Sequence, residues 1–173
     1  ALLESERKYY TEDPQRFYSS MEGALDDVVD FQRFTLRVMG KYARGSTQEQ
    51  RRGFLTVFKK SLFKAYSKAL VESGDFKLNV LTADINSRSS SRATVGLEIV
   101  SDGGNHYPVT YAMYQDNTTK KWLVENVIVS GVNMGLAFRD RFEQQMRLHK
   151  NDIDQVIAGW TSQVDVEKLD KEK

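Results

Sequence analysis

"KWLVENVIVSGVNMGLAFRDRF" (Lys121–Phe142) changes its period halfway along. From Trp122 to Val129 it reads as a strand, yet a half-buried strand alternates apolar and polar residues and this one is apolar on both faces. After Gly131 the spacing becomes helical. Asn133 suits the cap position, and Phe138, Phe142 and Met146 recur four apart, with Arg139, Glu143, Arg147 and Lys150 off that stripe. A strand running straight into a helix predicts a sheet packed against helices. The breadth of the apolar surface asks what it faces.

Working outward, three more strands precede this one. "FKLNVL" (Phe76–Leu81) and "ATVGLEIV" (Ala93–Val100) alternate, the second with Val95, Leu97 and Ile99 on one side. "YPVTYAMY" (Tyr107–Tyr114) puts Tyr107, Val109, Tyr111 and Met113 on one parity. The connections "DGGN" and "DNTTK" are short turns, so the four strands form an antiparallel meander and not βαβ units. "NTT" at Asn117 fits a glycosylation sequon, but the turn reading is preferred.

Helices flank the meander. Asp13 and Pro14 start one, with Phe17, Met21, Ala24, Leu25 and Val28 at helical spacing, continued after a bend by Phe31, Phe34, Val38 and Tyr42. Ser46 and Glu49 have the spacing of a capping box at the head of a long helix. That helix carries Leu55, Phe58, Leu62, Tyr66 and Ala69, widened by Phe54, Phe63 and Leu70, and Gly74 is a natural stop. "NDIDQVIAGW" closes the pattern with Ile153, Val156, Ile157 and Trp160. The opening "ALLESERKYYTED" and the closing "VEKLDKEK" read as polar tails. The expected architecture is α+β: a four-stranded antiparallel curved sheet (76–130) wrapped by helical parts 13–74 and 133–163, in one domain around an apolar cavity.

Composition excludes several functions. Twenty-five basic residues against 24 acidic give a net charge of +1, which offers no electrostatic case for nucleic acid. No cysteine is present, so thiolate chemistry and disulfides are absent. The longest apolar stretch, Val127 to Phe138, falls short of the roughly 20 residues a membrane span requires. The two histidines, His106 and His149, read as surface, and the Asp26, Asp27 and Asp30 group reads as a solvated face and not a metal site. "SDGGN" is a hairpin turn, not a phosphate cradle. No metal, cofactor or catalytic constellation is expected. What remains is an excess of large apolar residues, which serve a core and an adaptable cavity equally well.

The opening stretch resembles the signature of the MlaC family, the carriers of the maintenance-of-lipid-asymmetry pathway, also called toluene-tolerance auxiliary proteins. The matching residues are Trp122, Asn126, Gly131, Val132, Asn133, Phe138 and Arg139, with Asn126 standing where an aspartate is common. "YARGSTQEQRRGFLTVFKKSLFKAYSKAL" resembles a second family motif through Gly40, Tyr42, Thr47, Gln50, Arg51, Phe54, Phe58, Ala65 and Tyr66. The resemblance extends in element order over residues 14–163. It implies an NTF2-like or cystatin-like sheet and an apolar pocket holding phospholipid acyl chains with the headgroup toward solvent. It also implies no catalysis and a periplasmic location. The implied partners are an outer-membrane lipoprotein–porin complex and an inner-membrane ABC transporter complex bearing an MCE-domain protein.

With that pocket in view, the expected lining comes from three places. The long helix supplies Phe58, Leu62 and Tyr66. The sheet supplies Val95, Leu97, Ile99, Val109, Tyr111 and Met113. The return segment supplies Val127, Val129, Val132, Met134, Phe138 and Phe142. Headgroup recognition is expected to be weak and the carrier to be a monomer. Two other classes compete: a small-molecule binder or enzyme with a polar floor, for which Tyr111 and Asp84 are the candidate pair, and an adaptor whose apolar face binds a protein.

Overall fold

The structure, a computed structural model, describes residues 5–72 and 76–161. Asp13 accepts a hydrogen bond from the Arg16 amide (3.1 Å) and Pro14 occupies the first turn, so a helix runs Pro14–Asp26. A shorter helix, α1 (Tyr9–Glu12), precedes it, making the Pro14–Asp26 helix α2. The reading of the opening segment as a tail is therefore corrected. Tyr10 packs edge-on against Phe17, and the buried Glu6 takes a hydrogen bond from Ser20 (3.0 Å). The expected bend falls at Asp27–Asp30. Asp30 then caps α3 (Phe31–Met39) through the Arg33 amide (2.8 Å).

Gly40 ends α3 with φ +55°, and a single turn, α4 (Tyr42–Gly45), leads to the long α5 (Gln48–Glu72). The capping box of α5 lies one residue later than expected. Thr47 and Gln50 exchange it reciprocally, the Gln50 amide donating to Thr47 Oγ1 (3.1 Å) and the Thr47 amide to Gln50 Oε1 (3.0 Å). The Ser46 hydroxyl is instead turned back onto the Ala43 carbonyl (2.8 Å). The expected stop at Gly74 lies outside the described residues.

The meander follows as β1 (Phe76–Ile85), β2 (Arg92–Ser101), β3 (His106–Gln115) and β4 (Trp122–Val129), all antiparallel neighbours. The sheet has five strands, not four. Gly131, at φ +84°, reverses the chain so that β5 (Val132–Asn133) pairs back onto Ile128 and Val129. Two residues are too few to show any period, and the predicted sheet limit at 130 is corrected by them. The chain then enters α6 (Met134–Leu148), capped by Asn133 through the Leu136 amide (3.1 Å), and ends in α7 (Ile153–Ala158).

The Asp116 carboxylate organises the β3–β4 turn by accepting bonds from the Thr118 and Thr119 amides (3.0 and 2.7 Å), so Asn117 sits in an ordinary turn.

The register explains why β4 does not alternate. An extra residue is accommodated opposite Ala112 and Met113, a β-bulge at Glu125. Val127 and Val129 face the same side as Tyr111 and Val109, while Glu125 and Asn126, though consecutive, both turn to the other side. There Glu125 is buried against Arg92, Arg33 (3.0 Å) and Arg37 (3.0 Å). Asn126 accepts a bond from the Gly135 amide (3.0 Å) and donates to Asn133 Oδ1 (2.9 Å), fastening β4 to the start of α6.

Two packed clusters hold the helices. The larger joins Phe34, Val38, Phe54, Phe58, Phe138, Phe142 and Trp160, among others. The smaller joins Phe17, Met21, Phe31 and Phe63. Helix α5 contributes to both, which is why its apolar face is wider than one stripe.

Candidate functional site

Antiparallel partners share a face, so the pairings assign each strand residue to one side of the sheet. On one side stand Leu78 and Val80 (β1), Val95, Leu97 and Ile99 (β2), Tyr107, Val109, Tyr111 and Met113 (β3), and Val127 and Val129 (β4). On the other stand Lys77, Asn79, Thr94, Glu98, Thr110, Tyr114 and Asn126. One face is thus apolar across four strands, and the other is mostly polar, with Val100, Ala112, Leu123 and Ile128 among its polar residues.

Helix–sheet packing is concentrated at β4 and β5. On the apolar face, Leu97 and Val109 are buried, and Val95, Ile99, Tyr111, Met113 and Val127 are half-buried, yet none of these belongs to either packed cluster. Val129 touches the larger cluster, so the helical core and the apolar face meet at β4. Toward β1 the same face opens: Leu78, Val80 and Ile85 are exposed, the last two by 63% and 64%. These β1 residues were not among the expected site residues, although the alternation of "FKLNVL" was the signal for them. Burial raises the Tyr111 hydroxyl above its ordinary pKa, which keeps it neutral, and it makes no side-chain hydrogen bond with another described residue.

The expected lining divides in two. The sheet residues share the one apolar face, with Leu62 and Tyr66 of α5 half-buried against the larger cluster. Phe58, Val132, Met134, Phe138 and Phe142 are buried inside that cluster, where Phe58 meets Phe138 at 5.2 Å between ring centroids. Their packing partners are other side chains of this molecule.

The polar constellations do not assemble. Tyr111 lies on the apolar face and Asp84, paired with Thr94, on the polar face, so the sheet separates the candidate enzyme pair. Among the described residues no group of His, Asp and Glu could hold a metal. Of the aspartate trio, Asp26 pairs with Lys59 (2.7 Å), and Asp30 caps α3 and accepts from the Tyr114 hydroxyl. The Lys59 ammonium is half withdrawn from water, which alone would lower its pKa, but hydrogen bonds to Asp26 and Glu22 outweigh this and raise it. His106 is exposed and 2.9 Å from Glu98, and His149 lies beside Gln155. No helix among the described residues is long and apolar enough to cross a membrane.

A concavity of about 770 Å³ opens on the Asn126 side of β4, away from the apolar face. It is bounded by α3, α4 and the first turns of α6, and is lined by Leu36, Arg37, Lys41, Arg44, Leu136 and Arg139 among others. Arg139 lies against Gly40. Sequence spacing could not reveal this basic groove, because its cations come from segments about a hundred residues apart.

The fold and the face together define an α+β protein whose sheet carries a broad apolar face, buried at its centre and open toward β1. The chain matches the MlaC protein family over residues 1–162, and it belongs to that family. It is 36% identical over 163 residues to the toluene tolerance protein ttg2D of Pseudomonas putida, covering 94% of this chain and 74% of that protein. Its fold is similar to that of a phospholipid-binding protein from Ralstonia solanacearum solved in complex with a phospholipid. The TM-score is 0.75 at 16% identity, over 91% of this chain and 89% of that one.

Proposed function

We propose that this chain is a periplasmic phospholipid carrier, with no catalytic step, that holds acyl chains against the apolar face of its sheet. The observation that carries the reading is that face: apolar across four strands, withdrawn from water at its centre and, Val129 apart, outside both packed clusters. Val95, Leu97, Val109, Tyr111 and Val127 form its floor, and Leu62 and Tyr66 of α5 its wall. The aromatic cluster behind that wall gives it a rigid support. Family membership and the phospholipid bound by the Ralstonia protein support the same reading.

The physical requirement is large. Exposing a methylene to water costs about 0.8 kcal/mol, so moving two long acyl chains through water costs on the order of 20 kcal/mol. A carrier lowers that barrier by offering a matching apolar surface. In this reading the lipid travels between an outer-membrane lipoprotein–porin complex and an inner-membrane ABC transporter complex bearing an MCE-domain protein. In this reading the contact is made by the apolar side chains of the sheet face. Acyl volume therefore dominates affinity, and exchanging the headgroup at constant acyl chains changes it less than tenfold.

Native mass spectrometry of the purified protein, with lipid extraction from the same sample, tests this directly. A co-purified phospholipid at near-integer stoichiometry is expected. A lipid-free mass that does not change after incubation with phospholipid vesicles would overturn the reading.

A further inference from the structure

We propose that the basic groove on the Asn126 side of β4 is a docking site for an acidic segment of a partner protein. Four cations, Arg37, Lys41, Arg44 and Arg139, line it, against one carboxylate, Glu125. That carboxylate is buried and already surrounded by Arg33, Arg37 and Arg92. Lys41 is paired with Glu143 (2.9 Å), but Arg44 forms no ion pair or side-chain hydrogen bond with another described residue, and Arg139 feels Glu143 only through space. The whole chain carries a net charge of +1, so this concentration of positive charge is local and not a general bias of the surface.

The shape and lining select among anions. The groove is concave, and its volume lies within the range of about 300–1,000 Å³ typical of ligand sites, so a flat bilayer surface does not reach into it. A compact phosphate is poorly served. The amides at the start of α6 that could cradle one are taken, Gly135 by Asn126 and Leu136 by Asn133. The cations come from different elements, Arg37 on α3, Lys41 and Arg44 at α4 and Arg139 on α6. Leu36 and the exposed Leu136 share the lining with them. Carboxylates spaced along a peptide, with an aliphatic side chain among them, fit that mixture of charge and apolar surface. The groove faces away from the apolar side of β4, so a partner could engage it without displacing anything held there. The inference does not depend on the lipid reading.

The test uses the full chain as purified and a short fluorescein-labelled peptide of glutamate, aspartate and leucine, with a lysine-for-glutamate version as control. Binding is expected to perturb the backbone amide resonances of Gly40 and Gly135 and to weaken as salt rises. The double charge reversal Arg44→Glu with Arg139→Glu should weaken it by about tenfold or more. Arg88→Glu, in the exposed β1–β2 turn, should leave it unchanged. Leu136→Ser provides a second variant if the double reversal lowers the melting temperature, and it too should weaken binding. Resonance changes elsewhere, undiminished binding to these variants, or equal binding of the lysine peptide would overturn the proposal. So would a groove that loses anionic-vesicle binding on charge reversal while peptide binding stays unchanged, since that result would make it a membrane-facing site.

Discussion

The helical core and the apolar sheet face are built from similar residues, but they end in different states. In the core, Phe54 meets Phe142 at 4.7 Å and Trp160 at 4.9 Å between ring centroids, and Phe54 and Phe58 are both 0% exposed. On the sheet face, Leu97 and Val109 are buried, Val95 and Ile99 are only partly withdrawn, and the side chains of β1 are largely in water. Close-packed interiors leave few gaps. A face of this breadth, buried only at its centre, is the surface that the carrier reading proposes to cover with acyl chains. Hydrophobicity alone does not mark a ligand site; what marks it is apolar surface with too few partners inside the molecule.

The most forceful way to break this comparison is a matched pair of truncations in lipid-free protein. Phe54→Ala removes a ring that packs against three aromatic neighbours and should cost about 3–5 kcal/mol in urea denaturation. Ile99→Ala removes a half-buried side chain from the sheet face and should cost less than about 1.5 kcal/mol, with a larger loss once phospholipid is loaded. Equal costs at the two sites in lipid-free protein would show that the sheet face is ordinary core.

A smaller effect tests the seam between the two regions. A Cβ on Gly135 would stand 2.5 Å from Asn126 Oδ1, in the contact that fastens β4 to α6. Gly135→Ala should therefore destabilise by about 1–3 kcal/mol, read from the shift in the urea midpoint. A neutral result would mean the strand and helix can separate without cost, and the two regions could then move independently.

The smallest expected effect lies at the far end of the helical region. Asp152 caps α7, and hydrogen bonds from the Gln155 backbone and side chain hold its carboxyl below the ordinary aspartate pKa. A depressed folded-state pKa contributes stability that is present above the unfolded value and is lost as pH falls through the folded one. Asp152→Asn keeps a capping oxygen but removes the titration. It should lower the melting temperature slightly at neutral pH, because the Asn nitrogen cannot accept the Gln155 side-chain bond, and flatten the acid limb of a melting-temperature profile. An unaltered acid limb would place that sensitivity elsewhere, for instance at Asp116 or Glu143, whose pKa values are lowered in the same direction.

Much of this was legible in the sequence. The limits of β4, the Asp13–Pro14 start and the Asn133 cap follow from local chemistry, which the sequence carries in full. The parity of β2 and β3 correctly grouped the apolar face, because strand alternation survives folding unchanged. The helical residues were harder. Phe58 and Phe138 have the spacing that either a core or a cavity wall would show, and only their neighbours distinguish the two. The capping box was ambiguous for a similar reason. Ser46–Glu49 and Thr47–Gln50 both fit the motif, and the choice was made by Ser46 turning toward Ala43 while Arg51 bonds its carbonyl (2.7 Å). The placement of Glu6 depended on Arg16 and Ser20, which no local pattern announces.

The bulge at Glu125 has a consequence for how β4 responds to change. A regular strand carries its phase from end to end, so a periodic response to substitution at one end forecasts the response at the other. Here the phase breaks at one residue. Even-numbered positions after it turn toward α6, while Val124, also even-numbered, shares the side of Met113. A substitution scan along β4 will therefore lose its period of two at Glu125 and regain it inverted. Deleting that single residue would remove the bulge and leave Val124 opposite Met113 and Asn126 opposite Ala112, so Trp122, Leu123 and Val124 would keep their faces while β4 lost the break in its phase.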